Sequence, residues 1–169
     1  MTTIINFYGA PSAGKSTEAA KLFVKYKEAG KSVELVTEYA KEWVWEDRKI
    51  RKFDQLYITA TQIHRETRLL GEVDFIITDS PVLLGAFYDE YYNRHTLVRP
   101  AVTAYMELLA HLKVKSFHHW LTIDRKKEHT MSGRLHNLAE CRKIEGELLQ
   151  FLTEFPIRFT DLKKGKNDR

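Results

Sequence analysis

The octapeptide Gly9-Ala10-Pro11-Ser12-Ala13-Gly14-Lys15-Ser16 constrains this chain more than any other feature. It follows an apolar run at 4–8, Ile-Ile-Asn-Phe-Tyr, and precedes a stretch at 16–29 in which Ala19, Leu22, Phe23 and Tyr26 recur at helical spacing. In the order strand, loop, helix, glycines that tolerate positive φ let backbone amides converge on an anion at a helix N-terminus. Lys15 then supplies charge for outer phosphates, and the Ser16 hydroxyl completes the shell of a phosphate-bound magnesium. Gly9, Ala10, Pro11, Ser12, Ala13, Gly14, Lys15, Ser16 and Thr17 are therefore the expected nucleotide-binding set, for ATP or GTP with Mg2+.

The rest of the pattern suits that start. Apolar strand-like segments at 33–36 and 75–78 alternate with helical ones, and further strands are expected at 120–123 and 157–159. A helix over 53–70 is predicted to bury Leu56, Ala60, Ile63, Thr67 and Leu70; another over 100–112 carries Val102, Met106, Leu109 and Leu112 on one stripe. Gly30 is placed to cap the first helix, and Asn137 with Glu140 forms a capping box that opens the last one, to about 151. Alternating strands and helices imply an α/β domain of three layers on a parallel sheet with right-handed crossovers. With no repeat, linker or composition break, 1–169 reads as one domain with its own core.

Composition excludes several classes. One cysteine, Cys141, permits no internal disulfide and no zinc cluster, and reads as a small helix residue. No apolar stretch is long enough to span a bilayer and no signal core is present, so the expected location is the cytoplasm. The net charge of +4 and a pI near 9.1 suit an anionic partner. Part of that excess sits in a basic tail at 163–169, where a charge run is ordinarily solvated.

Magnesium on phosphates is normally helped by a carboxylate, and Asp79 ends the apolar strand Ile76-Ile77-Thr78 where one is needed. A loop or helix-capping aspartate is the plainer alternative, and Ser80-Pro81 turns the chain into a helix there.

Taken with Val36-Thr37-Glu38-Tyr39-Ala40, Ile77-Thr78-Asp79-Ser80 and Gly133-Arg134, the loop gives a chain that resembles small kinases built on the P-loop NTPase fold. It is most similar to the phage-encoded group that includes 5-hydroxymethyluracil DNA kinases, and also to the nicotinamide riboside kinase domain of bacterial NadR-like proteins. The resemblance spans nearly the whole chain. It implies strand order 2-3-1-4-5, magnesium-ATP as donor, a lid near 125–136, and host cytoplasm as the location if phage-encoded. It also implies Glu38 as the base that takes the acceptor's proton, at the strand edge where doubly wound folds bind ligands. Arg134, and second to it Arg125, are implied as lid residues whose guanidinium meets the moving phosphoryl group.

On this reading Lys15, Glu38, Asp79, Arg125 and Arg134 form the catalytic set, with Ser16 and Asp79 on the metal. Tyr39, Trp43, Trp45, Phe87 and Tyr88 are candidates to sandwich a base, although aromatics are more often core. Gln62 can read a base edge through its amide, yet a surface position is the plainer expectation. His118 and His119 are read as structural or exposed. The acceptor stays open: a modified base in DNA, a free nucleoside or nucleotide, or nicotinamide riboside. An ATPase acting on a partner is the alternative from another class.

Overall fold

A computed structural model describes residues 1–51, 53–124 and 136–161. The branched apolar residues that favour pleated, doubly buried strands form the sheet centre: β1 (Thr3–Tyr8) lies between β3 (Phe75–Thr78) and β4 (Lys115–Trp120). Val33 and Val36 anchor β2 (Val33–Val36) beside β3, and β5 (Phe159–Asp161) pairs with β4. Every pairing is parallel, and the order is β2-β3-β1-β4-β5, as the resemblance to small P-loop kinases implied. Ile4, Ile5, Ile76 and Ile77 lie buried at its centre.

Parallel neighbours require crossover connections. They are made by α1 (Lys15–Glu28), α2 (Ala40–Trp45), α3 (Asp54–Thr67), α4 (Leu83–Tyr88), α5 (Arg99–His111) and α6 (Leu138–Leu152). A single π turn, Asp89–Asn93, extends α4. The capping box is present: Asn137 Oδ1 accepts the Glu140 N–H at 3.0 Å, and Glu140 Oε2 accepts the Asn137 N–H at 2.8 Å.

Three expectations are corrected. β4 occupies 115–120 rather than 120–123, because Lys115 to Trp120 pair residue by residue with Thr3 to Tyr8. Its polar residues are tolerated on a partly open face, where Phe117 stays exposed. The last strand lies two residues later than expected. In α3 the buried face is Gln55, Ile58, Thr59, Gln62 and Glu66, while Leu56 is exposed. That face is polar because a cavity lies against its outer half, and Gln62 is 4% exposed rather than a surface residue.

Candidate functional site

The C-terminal ends of β1, β2 and β3 all open on one edge of the sheet, the edge at which ligands of doubly wound folds bind. From β1 the chain enters the glycine loop. Gly9 has φ 146°, and a Cβ there would lie 2.4 Å from the Leu121 carbonyl oxygen, so only glycine fits both the conformation and the space. Gly14, at φ 93°, turns the chain left-handedly into α1. Ser12 adopts φ 71°, sparsely populated for a residue with a Cβ, and its Oγ lies 3.7 Å from the buried Cys141 Sγ of α6.

Lys15 heads α1 and curls over the loop, with Nζ donating to the carbonyls of Gly9 at 2.8 Å and Ala10 at 3.1 Å. Ser16 and Thr17 follow on the exposed first turn. Pro11, Ser12, Gly14, Lys15, Ser16 and Thr17 line one end of a cavity of about 760 Å³.

The second strand end brings Glu38 to the same cavity; the third leads into Asp79, which does not line the cavity, and Ser80, which does. Asp79 is buried, and its Oδ1 accepts the Glu38 N–H at 3.0 Å, which ties the two strand ends together. Glu38 is half-buried. Burial pushes its carboxyl above the usual range, Lys15 pulls it back, Asp79 pushes it up again, and Lys41 opposes that. The carboxyl therefore stands in the field of the loop lysine, and a raised affinity for protons suits a base.

Among the described residues no group of three or more His, Cys, Asp or Glu could hold a metal by itself. The sequence-expected donors are hard oxygens in small number, the Ser16 hydroxyl on the cavity wall and the Asp79 carboxylate buried past the end of β3. Magnesium accepts that arrangement, since it keeps most of its waters and leans on substrate phosphates.

Beyond Glu38 the cavity continues between α2, α3 and α4. Gln55, Thr59 and Gln62 of α3 line it together with Gly85 and Tyr88 of α4. A Cβ on Gly85 would lie 2.1 Å from Thr59 Oγ1, so glycine permits the close approach of the two helices. Of the five aromatic candidates, Tyr39 and Tyr88 line the cavity. Trp43 and Phe87 are core residues, and Trp45 is exposed outside it.

Cavity residues missed from sequence include Gln55, Thr59, Lys41, Lys49 and Arg51, and with them Tyr92 and His136. Tyr92 stacks on Tyr88, with centroids 6.0 Å apart and planes at 11°, and its hydroxyl meets His136 Nε2. The π turn that presents Tyr92 has no sequence signature at helical period, although such turns favour functional sites. Arg125 and Arg134 lie outside the described residues, as do the tail at 163–169 and all of the expected lid at 125–136 except His136. His118 and His119 stand half-buried on β4; burial and its neighbour His119 hold His118 down at about 4, and burial lowers His119.

The sequence profile of a family described as AAA domain, AAA_28, matches residues 4–169. Curated proteins offer no sequence match. Among solved structures, the chain is similar to deoxyadenosine kinase from M. mycoides with products dCMP and a flexible dCDP bound, at TM-score 0.55 and 15% identity, covering 95% of this chain and 89% of that one. It is also similar to the APS kinase CysC of Mycobacterium tuberculosis, at TM-score 0.47 and 15% identity, over 90% and 98% of the two chains. At such identity the likeness to deoxyadenosine kinase is one of fold.

Proposed function

Starting from a chain that belongs to the AAA domain family AAA_28 over 4–169, we propose that it is an ATP-dependent kinase that passes the γ-phosphoryl group to a hydroxyl of a nucleoside-like acceptor. One observation carries this reading. A single cavity runs from a phosphate loop, past a carboxylate, into a polar and aromatic chamber, and so has room for a donor and an acceptor on either side of Glu38.

In the proposed reaction the loop amides from Gly9 to Thr17 bind the donor phosphates, and Lys15 turns from the Gly9 and Ala10 carbonyls to meet the outer ones. Ser16 and Asp79 would hold magnesium, which supplies charge neutralisation on the phosphates. Glu38 accepts the proton of the acceptor hydroxyl as its oxygen forms a bond to the γ-phosphorus and the bond to ADP breaks. Asp79 orients Glu38 through its backbone N–H. Arg134, with Arg125 second, is proposed to steady the charge on the moving group.

Lys41, Lys49 and Arg51 line the acceptor rim, and their charge supports an anionic acceptor. We favour a 5-hydroxymethyluracil base within phage DNA on that account, with a free nucleoside, a nucleotide or nicotinamide riboside as alternatives. No helix among the described residues is long and apolar enough to cross a membrane. The test is incubation with γ-labelled ATP and a panel of nucleosides, nucleotides, nicotinamide riboside and hydroxymethyluracil-containing DNA. Label on one acceptor is expected. Label released only as inorganic phosphate, at a rate indifferent to every acceptor, would replace the kinase reading with an ATPase.

A further inference from the structure

The polar face of α3 does not stop at the cavity. Gln55, Thr59, Gln62 and Glu66 follow at spacings of four, three and four, so they stack along one side of the helix from the chamber into the core. Gln55, Thr59 and Gln62 line the cavity; Glu66, 1% exposed, lies one turn beyond it. A buried carboxyl that deep requires partners. The hydroxyl of Tyr105 on α5 donates to Glu66 Oε2 at 2.5 Å, whereas Glu66 Oε1 closes no hydrogen bond.

Gln62 has the matching vacancy. Its Oε1 accepts the Tyr39 N–H at 3.3 Å, and a backbone N–H can only be met by the oxygen end, which fixes the amide's direction. Its Nε2 is buried with no hydrogen bond of normal length, yet the amide is close enough to pull the Glu66 carboxyl downward. The donor end of Gln62 is thus turned toward the core and the carbonyl end toward Tyr39, which itself lines the cavity. One lone pair of that carbonyl takes the Tyr39 N–H. A carbonyl oxygen has a second.

We propose that Glu66 is a positioning residue for the acceptor: its carboxylate draws the Gln62 amide nitrogen inward, so that the Gln62 carbonyl oxygen is offered to an acceptor bearing an N–H group. This rests on the kinase reading for the word acceptor, but the positioning itself does not. The ligand class follows from polarity alone, an imide, amide or amino hydrogen on a planar heterocycle. Facing Glu66 are Tyr105 from α5 and Tyr8 from β1, both pushed upward and neither exchanging a proton near neutral pH. Burial raises Glu66 to about 7, so its own proton comes and goes there. When protonated it offers a hydrogen where Gln62 also offers one, and the amide loses its guide.

Proton–nitrogen NMR of the full chain tests the positioning without any ligand, the Gln62 side-chain amide being identified by its loss in Gln62→Leu. Its hydrogens are expected to shift with a midpoint near pH 7 in the wild type and to stay flat in Glu66→Gln. No movement between about pH 5.5 and 8.5, or the same movement in Glu66→Gln, would overturn the proposal.

The ligand class is read with matched acceptors: thymidine against 3-methylthymidine, adenosine against its dimethylated amine, nicotinamide riboside against its dimethyl amide. For the pair that is phosphorylated, the wild type is expected to favour the N–H member in KM by about tenfold or more. Glu66→Gln should reduce that preference to about threefold or less with kcat and the KM for ATP unchanged. Equal KM values in the wild type refute the carbonyl read-out. If no pair is phosphorylated, and neither the nucleotides nor the hydroxymethyluracil-containing DNA of the wider panel is, the kinase reading fails, and the Gln62 titration still decides the role of Glu66.

Discussion

The Glu66 carboxyl carries a cost that can be measured with no knowledge of substrate. Burial lifts it from 4.5 to about 7, against the downward pull of Tyr105 and Gln62. Between those values the folded protein holds a proton that the unfolded chain has released, so stability falls as pH rises through that window. Below it both states are protonated and nothing is lost; above it both are ionised and the full difference is felt. At 1.36 kcal/mol per unit, the wild type should lose about 2.5 kcal/mol of stability from this group between pH 5 and pH 8, part of the full difference being already spent by pH 5. Glu66→Gln is neutral throughout and removes that slope. The other titrating groups, including the depressed His118 and His119, are common to both proteins and cancel in the comparison. Urea denaturation of both at pH 5, 6, 7 and 8 is the assay, with the gap moving in favour of Glu66→Gln as pH rises. Parallel curves would mean that Glu66 is not held as a high-pKa buried acid, and the reasoning about its environment would fall.

Gly9→Ala places a Cβ 2.4 Å from the Leu121 carbonyl at a φ that favours glycine, so a loss of about 2 kcal/mol or more in thermal or urea stability is expected, along with loss of ATP binding; a variant as stable as wild type would mean the loop has another path. Lys15→Ala should abolish turnover and weaken ATP binding in calorimetry, since the loop offers no second ammonium. Glu38→Gln keeps the shape but not the base, and should slow transfer about 10²- to 10⁴-fold with ATP affinity retained. Asp79→Asn should raise the magnesium concentration needed for half-maximal rate, and an unchanged requirement would leave Asp79 as the tie to the Glu38 N–H alone.

The parts of this protein legible from sequence are those whose meaning is local. A glycine loop works through backbone conformations that Gly9 and Gly14 announce by themselves, and the capping box of Asn137 and Glu140 lies within one helical turn. The placement of Glu38 and Asp79 near one sheet edge was legible because they follow short apolar strands, and strand ends point to one edge in this topology. β4 was misplaced because apolar content was read as strand, whereas pairing with β1 chose Lys115 to Trp120. Tyr92 and His136 were invisible because a π turn and a distant helix start bring them together, which no period along the chain records.

The misreading of α3 has a physical lesson that bears on function. Helical spacing finds the apolar face, and the usual inference is that this face is buried. Here Gln55, Thr59, Gln62 and Glu66 are buried while Leu56 and Tyr57 stay exposed. A fold selected for stability alone would invert those positions, since buried polar atoms without partners, such as Thr59 Oγ1 and Gln62 Nε2, each cost about 1–3 kcal/mol. Replacing the carboxyl, the amide and the Tyr105 hydroxyl together by apolar groups of similar shape would remove that burden, as matched replacements of buried polar networks often do. The triple variant Gln62→Leu, Glu66→Leu and Tyr105→Phe is therefore expected to match or exceed the wild type in stability at pH 8, where the ionised carboxyl weighs most. A polar seam kept at such a cost, running from the chamber beside the phosphate loop, supports the proposal that the chamber tells one acceptor from another through it.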